Sequence, residues 1–385
     1  MLEGALSRVE VDLDAISFNV KGYRRHIGPQ VEIIAVVKGN AYGHGAVPVA
    51  KVALAAGANR LAVHRAGEGI ELRKAGIEAP ILIMGYTPPD GAPLITQWHL
   101  TPSLITREFA IALSEQASSL GVTVPVHIKV DTGMSRFGLL PGEVLDFLRE
   151  LRDLPGIFPE GLFTHFATAD WEDASFTHRQ LNIFQDVLDA AHRDGFDLPY
   201  CHAANSAAAM RLPETLFNAV RLGIALYGMD PSEQWPTAFE IRPALALKST
   251  VSRVRELPPG SGISYGLTYV TQTNSRAALV PVGYGDGYHR SLSNRGSVLI
   301  HGQRAPIRGR MCMDQFVVDV SDIADVRQDD EVVLIGKQGD DQIRAEELAH
   351  LAGTINYEIT TSLLPRIPRL YLQAGQPVKD DNSSD

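Results

Sequence analysis

One rhythm repeats through about the first 230 residues: a short apolar run, a polar turn, then a stretch with apolar residues three and four apart. The runs fall at 31–37, 61–63, 81–84, 100–104, 126–130, 161–166, 200–204 and 220–227, which makes eight. Between them, residues 47–56, 68–75, 107–120, 144–151 and 177–192 carry the periodicity of helices that bury one face. Strands this apolar belong in a parallel sheet, whose members need crossover helices to connect and cover them. Eight strand-plus-helix units predict an α/β fold, a closed (β/α)8 barrel of the TIM type. An open doubly wound sheet is the alternative, but it would not require eight units.

From about residue 238 the rhythm changes. Arg242-Pro243 begins a region of short alternating runs at 245–257, 277–282, 298–300, 316–320 and 332–335. Turn residues punctuate them: Pro258-Pro259-Gly260, Gly283, Gly302 and Asp329-Asp330. The pattern predicts a C-terminal, mostly antiparallel β domain with one helix at 345–352. A chain of 385 residues has room for two domains, and the expected division is a barrel over 1–237 and a β domain over 238–385. The polar stretch 379–385 is expected to be a disordered tail.

Composition narrows the function classes. A net charge of −10 argues against a nucleic-acid partner, which would call for a basic patch or stripe. The basic stretch Lys21 to His26 reads as one solvated helix face. No apolar run approaches the roughly 18 residues that a membrane span needs. The start, MLEGALSRVEVDLDAI, lacks the basic-then-apolar plan of a secretory signal, so a cytoplasmic location is expected. Cys201 and Cys312 make neither a disulfide framework nor metal-ligand spacing, so no metal site is expected and both read as small buried hydrophobes.

In such a barrel the chemistry sits at the C-terminal strand ends. Lys38 follows the first apolar run. The fifth run contains Lys129 and leads to Asp131, Gly133 and Arg136; the sixth contains His165. The seventh leads to Asn205 and Ser206, and the eighth holds Arg221 and Gly223. Polar and charged residues thus collect at one end of successive strands, which points to an anionic ligand at the barrel mouth. Taken singly, each has an ordinary explanation: a solvated loop lysine, a hydrogen-bonded core histidine, an arginine paired with a carboxylate, glycines serving turns. Spacing alone leaves those alternatives open.

The wording of particular strings goes further. AVVKGNAYGHG at 35–45 resembles the cofactor-attachment segment of the alanine racemases, a family of pyridoxal-phosphate (PLP) dependent enzymes of fold type III. Further matches follow in the family's order: HIKVDTGMSR at 127–136, THFA at 164–167, HAANS at 202–206, RLGIALYG at 221–228, SYG at 264–266, GYGDG at 283–287, CMDQ at 312–315 and TINYE at 354–358. They span both expected domains.

The resemblance implies an amino-acid racemase that interconverts L- and D-alanine and supplies D-alanine for peptidoglycan. It also implies a head-to-tail homodimer, each active site combining one subunit's barrel with the partner's β domain. Lys38 would hold PLP as a Schiff base and, once freed by the substrate amine, exchange the Cα proton on one face. Tyr265, from the partner subunit, would serve the opposite face. A free tyrosine ionises near pH 10, so a tyrosine base needs help, and the family suggests a chain through His165, Arg221 and His202. Arg221 would meet the pyridine nitrogen, where a permanent cation disfavours a second positive charge on the ring. The phosphate would be held by the hydroxyls of Tyr42, Ser206 and Tyr357 and by the N–H groups of Gly223 and Ile224, with Asn205 also on the cofactor. Arg136 would reach the cofactor's phenolic oxygen and the substrate carboxylate, and the Met313 N–H would meet that carboxylate too. Tyr284 would narrow the substrate entrance. Lys129, carbamylated in some relatives, would then be an anion positioning Arg136.

Some positions depart from the family pattern. Gly39 and Gly285 stand where alanine is usual, and Leu222 replaces a proline. The first is expected to add backbone freedom near Lys38 at some cost in stability. VHRAG at 63–67 departs further and suggests no function. Serine or a broader substrate range is the first alternative. A PLP-dependent decarboxylase of the same architecture would need a catalytic cysteine, for which Cys312 is the one candidate, and would leave Tyr265 without a purpose. A non-enzymatic PLP carrier, built on a single barrel, would need neither the second domain nor Tyr265.

Overall fold

Apolar strand segments in the first two-thirds of the chain have no solvated face, and a closed barrel is the arrangement that leaves none of them at an edge. A computed structural model describes residues 4–378. It divides into two compact units. One comprises residues 16–41 and 46–242; the other comprises the N-terminal stretch ending at Ala15, residues 42–45 and the chain from Pro243 onward.

The N-terminal strand β1 (Arg8–Asp12) precedes the eight barrel strands: β2 (Glu32–Val36), β3 (Arg60–Val63), β4 (Ile81–Ile83), β5 (Thr101–Leu104), β6 (Val124–Lys129), β7 (Ile157–Phe163), β8 (Tyr200–His202) and β9 (Ala219–Leu222). Strands β2 to β9 pair in sequence order, and β2 closes the ring by pairing parallel with β9. Each of the eight expected apolar runs overlaps one of these strands. The crossover helices follow their periodicity. Ser175–Arg193 buries Leu181, Phe184 and Val187 on one face, and Val144–Arg152 buries Val144, Phe147, Leu148 and Leu151. Burying each such side chain contributes about 1.5–3 kcal/mol, enough for the pattern to decide the helix orientation.

In the second unit the sheet runs through Arg253–Leu257, Ser275–Val280, Phe316–Asp319, Gln303–Arg308, Ser297–Ile300, Glu331–Gln338, Leu245–Thr250, β1, Arg369–Gln373 and Gln376–Pro377. It is antiparallel except where β1 meets Arg369–Gln373. The expected helix at 345–352 is present as Ala345–Ala352. β1 departs from the expected division, which places residues 1–237 in the barrel. It pairs antiparallel with Leu245–Thr250, because a ring already closed by eight strands offers no free edge to a ninth. Its sequence RVEVD alternates, with Val9 and Val11 fully buried, as a strand with one packed face should. The expected tail at 379–385 lies outside the described residues. Among those described, no helix is long and apolar enough to cross a membrane.

Candidate active site

Lys38 stands just beyond the C-terminal end of β2, and the backbone after it is unusual. Gly39, Asn40, Ala41 and Tyr42 all have positive φ, at 61°, 52°, 53° and 53°. Left-handed backbone costs a non-glycine residue about 1–2 kcal/mol, so the surroundings must impose it. The Ala41 N–H donates to the Val37 carbonyl (2.8 Å), the Asn40 side-chain oxygen accepts from Ala46 N–H (2.8 Å), and Glu68 Oε1 accepts from Gly39 N–H (2.6 Å). Glycine at 39 therefore does the opposite of what was expected. At φ 61° it relieves strain that an alanine would carry, so it favours the fold locally.

Glu68 sits in the first turn of the helix Ala66–Lys74, and its other oxygen accepts from the N–H groups of His64 (2.8 Å) and Arg65 (3.0 Å). One carboxylate thus ties the loop after β3 to the loop after β2. The divergent VHRAG segment, to which sequence reasoning attached no function, supplies two of the backbone N–H groups that hold Glu68. A glutamate three residues into a helix was the available signal, obscured because Arg65 precedes it where Ser or Thr usually stands.

Around Lys38 the barrel end is rich in cations. Burial, then the charges of Arg136 and Arg221, lower the pKa of Lys38 against the opposing pull of Glu68. Lys129, the last residue of β6, is lowered to about 7 by burial and by Arg221 and Arg136. Its ammonium lies 5.2 Å from the centre of the Phe137 ring and 5.6 Å from that of Phe163. Arg136 follows a loop in which Asp131 accepts backbone N–H bonds from Gly133, Ser135 and Arg136 itself.

Arg221, on β9, is only 3% exposed, and burial lowers its pKa to about 9. It donates to His202 Nδ1 (2.6 Å), to His165 Nδ1 (3.2 Å) and to the carbonyls of Thr164 (2.7 Å), His202 (3.1 Å) and Ala203 (2.8 Å). Both imidazoles are held neutral, their pKa values pushed well below the ordinary range by burial and by the Arg221 charge. Beside this group, Ser206 Oγ accepts from Gly223 N–H (2.9 Å), and Ile224 is buried next in the chain. Asn205 has a structural duty, since its side chain accepts from Ala208 N–H (3.0 Å) and caps the helix Ser206–Arg211. A buried arginine whose hydrogen bonds go to imidazoles and carbonyls, an amine among like charges, and a hydroxyl paired with a backbone amide form a donor set for an anion. That set fits a phosphate-bearing cofactor attached through an amine.

The second unit presents another group. Tyr265 follows Ser264, whose φ is 62°, and is 73% exposed. Ser264 Oγ donates to the Arg310 carbonyl (2.5 Å) and lies 3.4 Å from Cys312 Sγ. The Gly285 N–H donates to the Met313 carbonyl (2.7 Å) and the Tyr284 N–H to that of Cys312 (3.2 Å), so the GYGDG and CMDQ strings are laced together. A Cβ at Gly285 would come within 2.9 Å of the Met313 side chain, and the glycine permits this approach. Arg366 bridges Asp286 and Asp314 (2.7 Å each) behind them. Tyr284 and Met313 are exposed. In the same unit the rings of Tyr42 and Tyr357 lie 5.9 Å apart.

An eight-stranded parallel barrel with an amine and anion-binding donors at its C-terminal strand ends, joined in sequence to a β unit displaying an exposed tyrosine, defines a two-unit barrel enzyme of small-molecule chemistry. Family models narrow this: residues 11–231 match the alanine racemase N-terminal domain and residues 244–371 the alanine racemase C-terminal domain. The chain belongs to the alanine racemase family. It is 48% identical to the alanine racemase of Carboxydothermus hydrogenoformans, over 94% of this chain and 98% of the relative. To that of Halothermothrix orenii it is 46% identical, over 94% and 96%. The crystal structure of alanine racemase from Bacillus anthracis with bound L-Ala-P superposes with a TM-score of 0.92, at 42% identity and 97% coverage of both chains.

Proposed function

We propose that this chain interconverts L- and D-alanine with PLP, using Lys38 and Tyr265 as bases on opposite faces of Cα. The observation that carries the reading is the contrast between its two candidate bases. Lys38 is an amine whose protonation is disfavoured by burial and by neighbouring cations, so it is ready to attach a carbonyl or take a proton. Tyr265 is an exposed phenol on a strained loop braced by Ser264, the arrangement of a group offered to something else. A homodimer would bring Tyr265 of one subunit to the barrel of the other.

When bound, PLP supplies an electron sink that acidifies the substrate Cα–H. Lys38 Nζ would hold the cofactor and, when free, would exchange that proton on one face. Tyr265 Oη exchanges it on the other, so the proton leaves one side and returns on the opposite one. Ser206, Tyr42 and Tyr357 hydroxyls and the N–H groups of Gly223 and Ile224 would hold the phosphate, and Arg221 would hold the ring nitrogen. Arg136 and the Met313 N–H orient the substrate carboxylate, and Tyr284 limits the entrance. The reading assigns the protein a cytoplasmic supply of D-alanine for peptidoglycan. Serine is the weaker second substrate, since a methyl and a hydroxymethyl group are discriminated only modestly by pocket size.

The test is D-alanine formation from L-alanine by purified protein with added PLP, with L-serine and L-lysine in parallel. Fast turnover of alanine and slower turnover of serine is the expected result. Carbon dioxide release without racemisation would overturn the reading in favour of a decarboxylase.

A further inference from the structure

Arg221 carries a buried charge, and among the described residues no carboxylate pairs with it directly. The nearest route to a negative charge is indirect. His202 Nε2 lies 2.8 Å from His127 Nδ1, and His127 Nε2 lies 2.9 Å from Glu160 Oε2. We infer that Glu160 is a positioning residue for Arg221, acting through His127 and His202 along a one-way hydrogen-bond chain inside the barrel.

The direction of the chain follows from its two ends. Arginine has donors and no acceptor, and an ionised carboxylate has acceptors and no donor. His202 Nδ1 must therefore accept from Arg221, which leaves its Nε2–H to donate to His127 Nδ1. His127 Nε2–H then donates to Glu160. Both rings are fixed as Nε2–H tautomers, and any other assignment sets two donors or two acceptors against each other. The same rule applied to His165, whose Nδ1 accepts from Arg221, leaves its Nε2–H as a donor.

The surroundings hold each link. Glu160 is clasped by Arg60 through two bonds, Nη1 to Oε2 (2.8 Å) and Nη2 to Oε1 (3.1 Å). Arg60 stacks 3.7 Å above the Tyr200 ring, and its Nε reaches Glu32 at 3.3 Å. Phe163 lies flat against the His202 ring, 4.8 Å between centres and 10° between planes. Gly161 makes room for His127, since a Cβ there would come within 2.7 Å of His127 Nδ1. Glu32 and Arg60 open their strands, whereas Lys38 follows the end of one. The network therefore runs from the floor of the barrel to its mouth. Burial opposes a charge on Glu160, but bonds from His127 and Arg60 outweigh it and hold its carboxyl at about 2. Such chains polarise along their length, so a charge on Glu160 favours the charged form of Arg221 against the pull of burial and of Lys38 and Lys129, with His165 and His202 as its other titratable neighbours.

The kinetic consequence rests on the racemase reading; the tautomers do not. The first experiment is long-range 1H–15N correlation NMR of histidine-labelled wild-type protein, before and after PLP is added, with His127→Gln and His202→Gln identifying the signals. Both rings should be neutral Nε2–H tautomers from pH 5.5 to 9, and an imidazolium or an Nδ1–H form at either would overturn the inference. The second uses Glu160→Gln, which keeps an acceptor for His127 and removes the charge. The alkaline limb of kcat/KM should move about one pH unit toward neutrality, with Glu160→Asp restoring at least half the shift. A Glu160→Gln profile superimposable on wild type would overturn the inference. If racemisation itself were absent, the proposed function would fail while the tautomer result stood.

Discussion

The barrel and the β unit handle polar residues in opposite ways. In the barrel, charges are buried and locked: Arg221 has five hydrogen-bond acceptors, and its imidazole partners are fixed in turn. In the β unit, Tyr265, Tyr284 and Met313 are exposed on loops braced by Ser264, Asp286 and Arg366 and by backbone bonds between the loops. A buried polar group must have its partners inside the fold or destabilise it. An exposed one on a stiff loop meets its partner only when something else arrives. The contrast teaches that the barrel interior satisfies the polar groups it buries, whereas the β unit displays its candidate functional groups at the surface.

Substitutions at the two bases break this comparison most sharply. Lys38→Ala should lower kcat for alanine by about 10⁴-fold or more, since it removes both the attachment point and one base. Thermal unfolding should show it no less stable than wild type, because it removes a disfavoured buried amine from a cluster of like charges. A marked fall in melting temperature would mean that Lys38 is a structural residue. Tyr265→Phe should reduce racemisation by about 10²–10⁴-fold and leave stability unchanged, because its side chain is exposed. The equilibrium constant between enantiomers is one, so kcat/KM must fall by the same factor in both directions. Rates near wild type in both would exclude the two-base mechanism.

Much of the barrel was legible because each strand announces itself locally. A short run of apolar residues cannot remain exposed, and eight such runs have few ways to be covered. Sheet elements with weaker local signals were missed. Gln303–Arg308 buries only Ala305 and Ile307 in a strand that also holds two arginines and a proline, too brief an alternation to register. β1 was assigned to the barrel because it lies next to it in sequence, whereas its partners are more than 200 residues away. The site residues named by motif were legible by wording, not by periodicity. Glu160 and Arg60 carry no such wording, and 100 residues separate them in the chain. Their pairing becomes visible only when the barrel closes.

Acid tests the locked network next. The Glu160 carboxyl titrates at about 2 in the folded protein, below the ordinary glutamate value near 4.5. A depressed carboxyl stabilises the fold fully above its unfolded pKa, and that contribution disappears as pH falls through the folded value. Wild type should therefore lose on the order of 3 kcal/mol between about pH 4.5 and pH 2 from this group. Glu160→Gln should be flatter than wild type across the same window in urea titrations, and an identical slope would show that the network does not hold the carboxylate.

The smallest expected effect lies at Gly39. It is the one link of the left-handed turn after Lys38 whose residue type adopts that backbone freely, and no neighbour lies within 4 Å of where a Cβ would stand. Gly39→Ala therefore probes backbone strain with no steric clash to confuse it. The variant should lose about 1 kcal/mol of stability, a difference that chemical denaturation resolves. Because Glu68 still accepts from the residue-39 N–H, the turn should persist, and kcat should change by less than about threefold, a small fraction of a catalytic loss. An alanine variant as stable as wild type would show that this turn relaxes to ordinary backbone in solution. Lys38 would then owe its position to side-chain contacts alone, and the barrel's mouth would be less rigid than its interior.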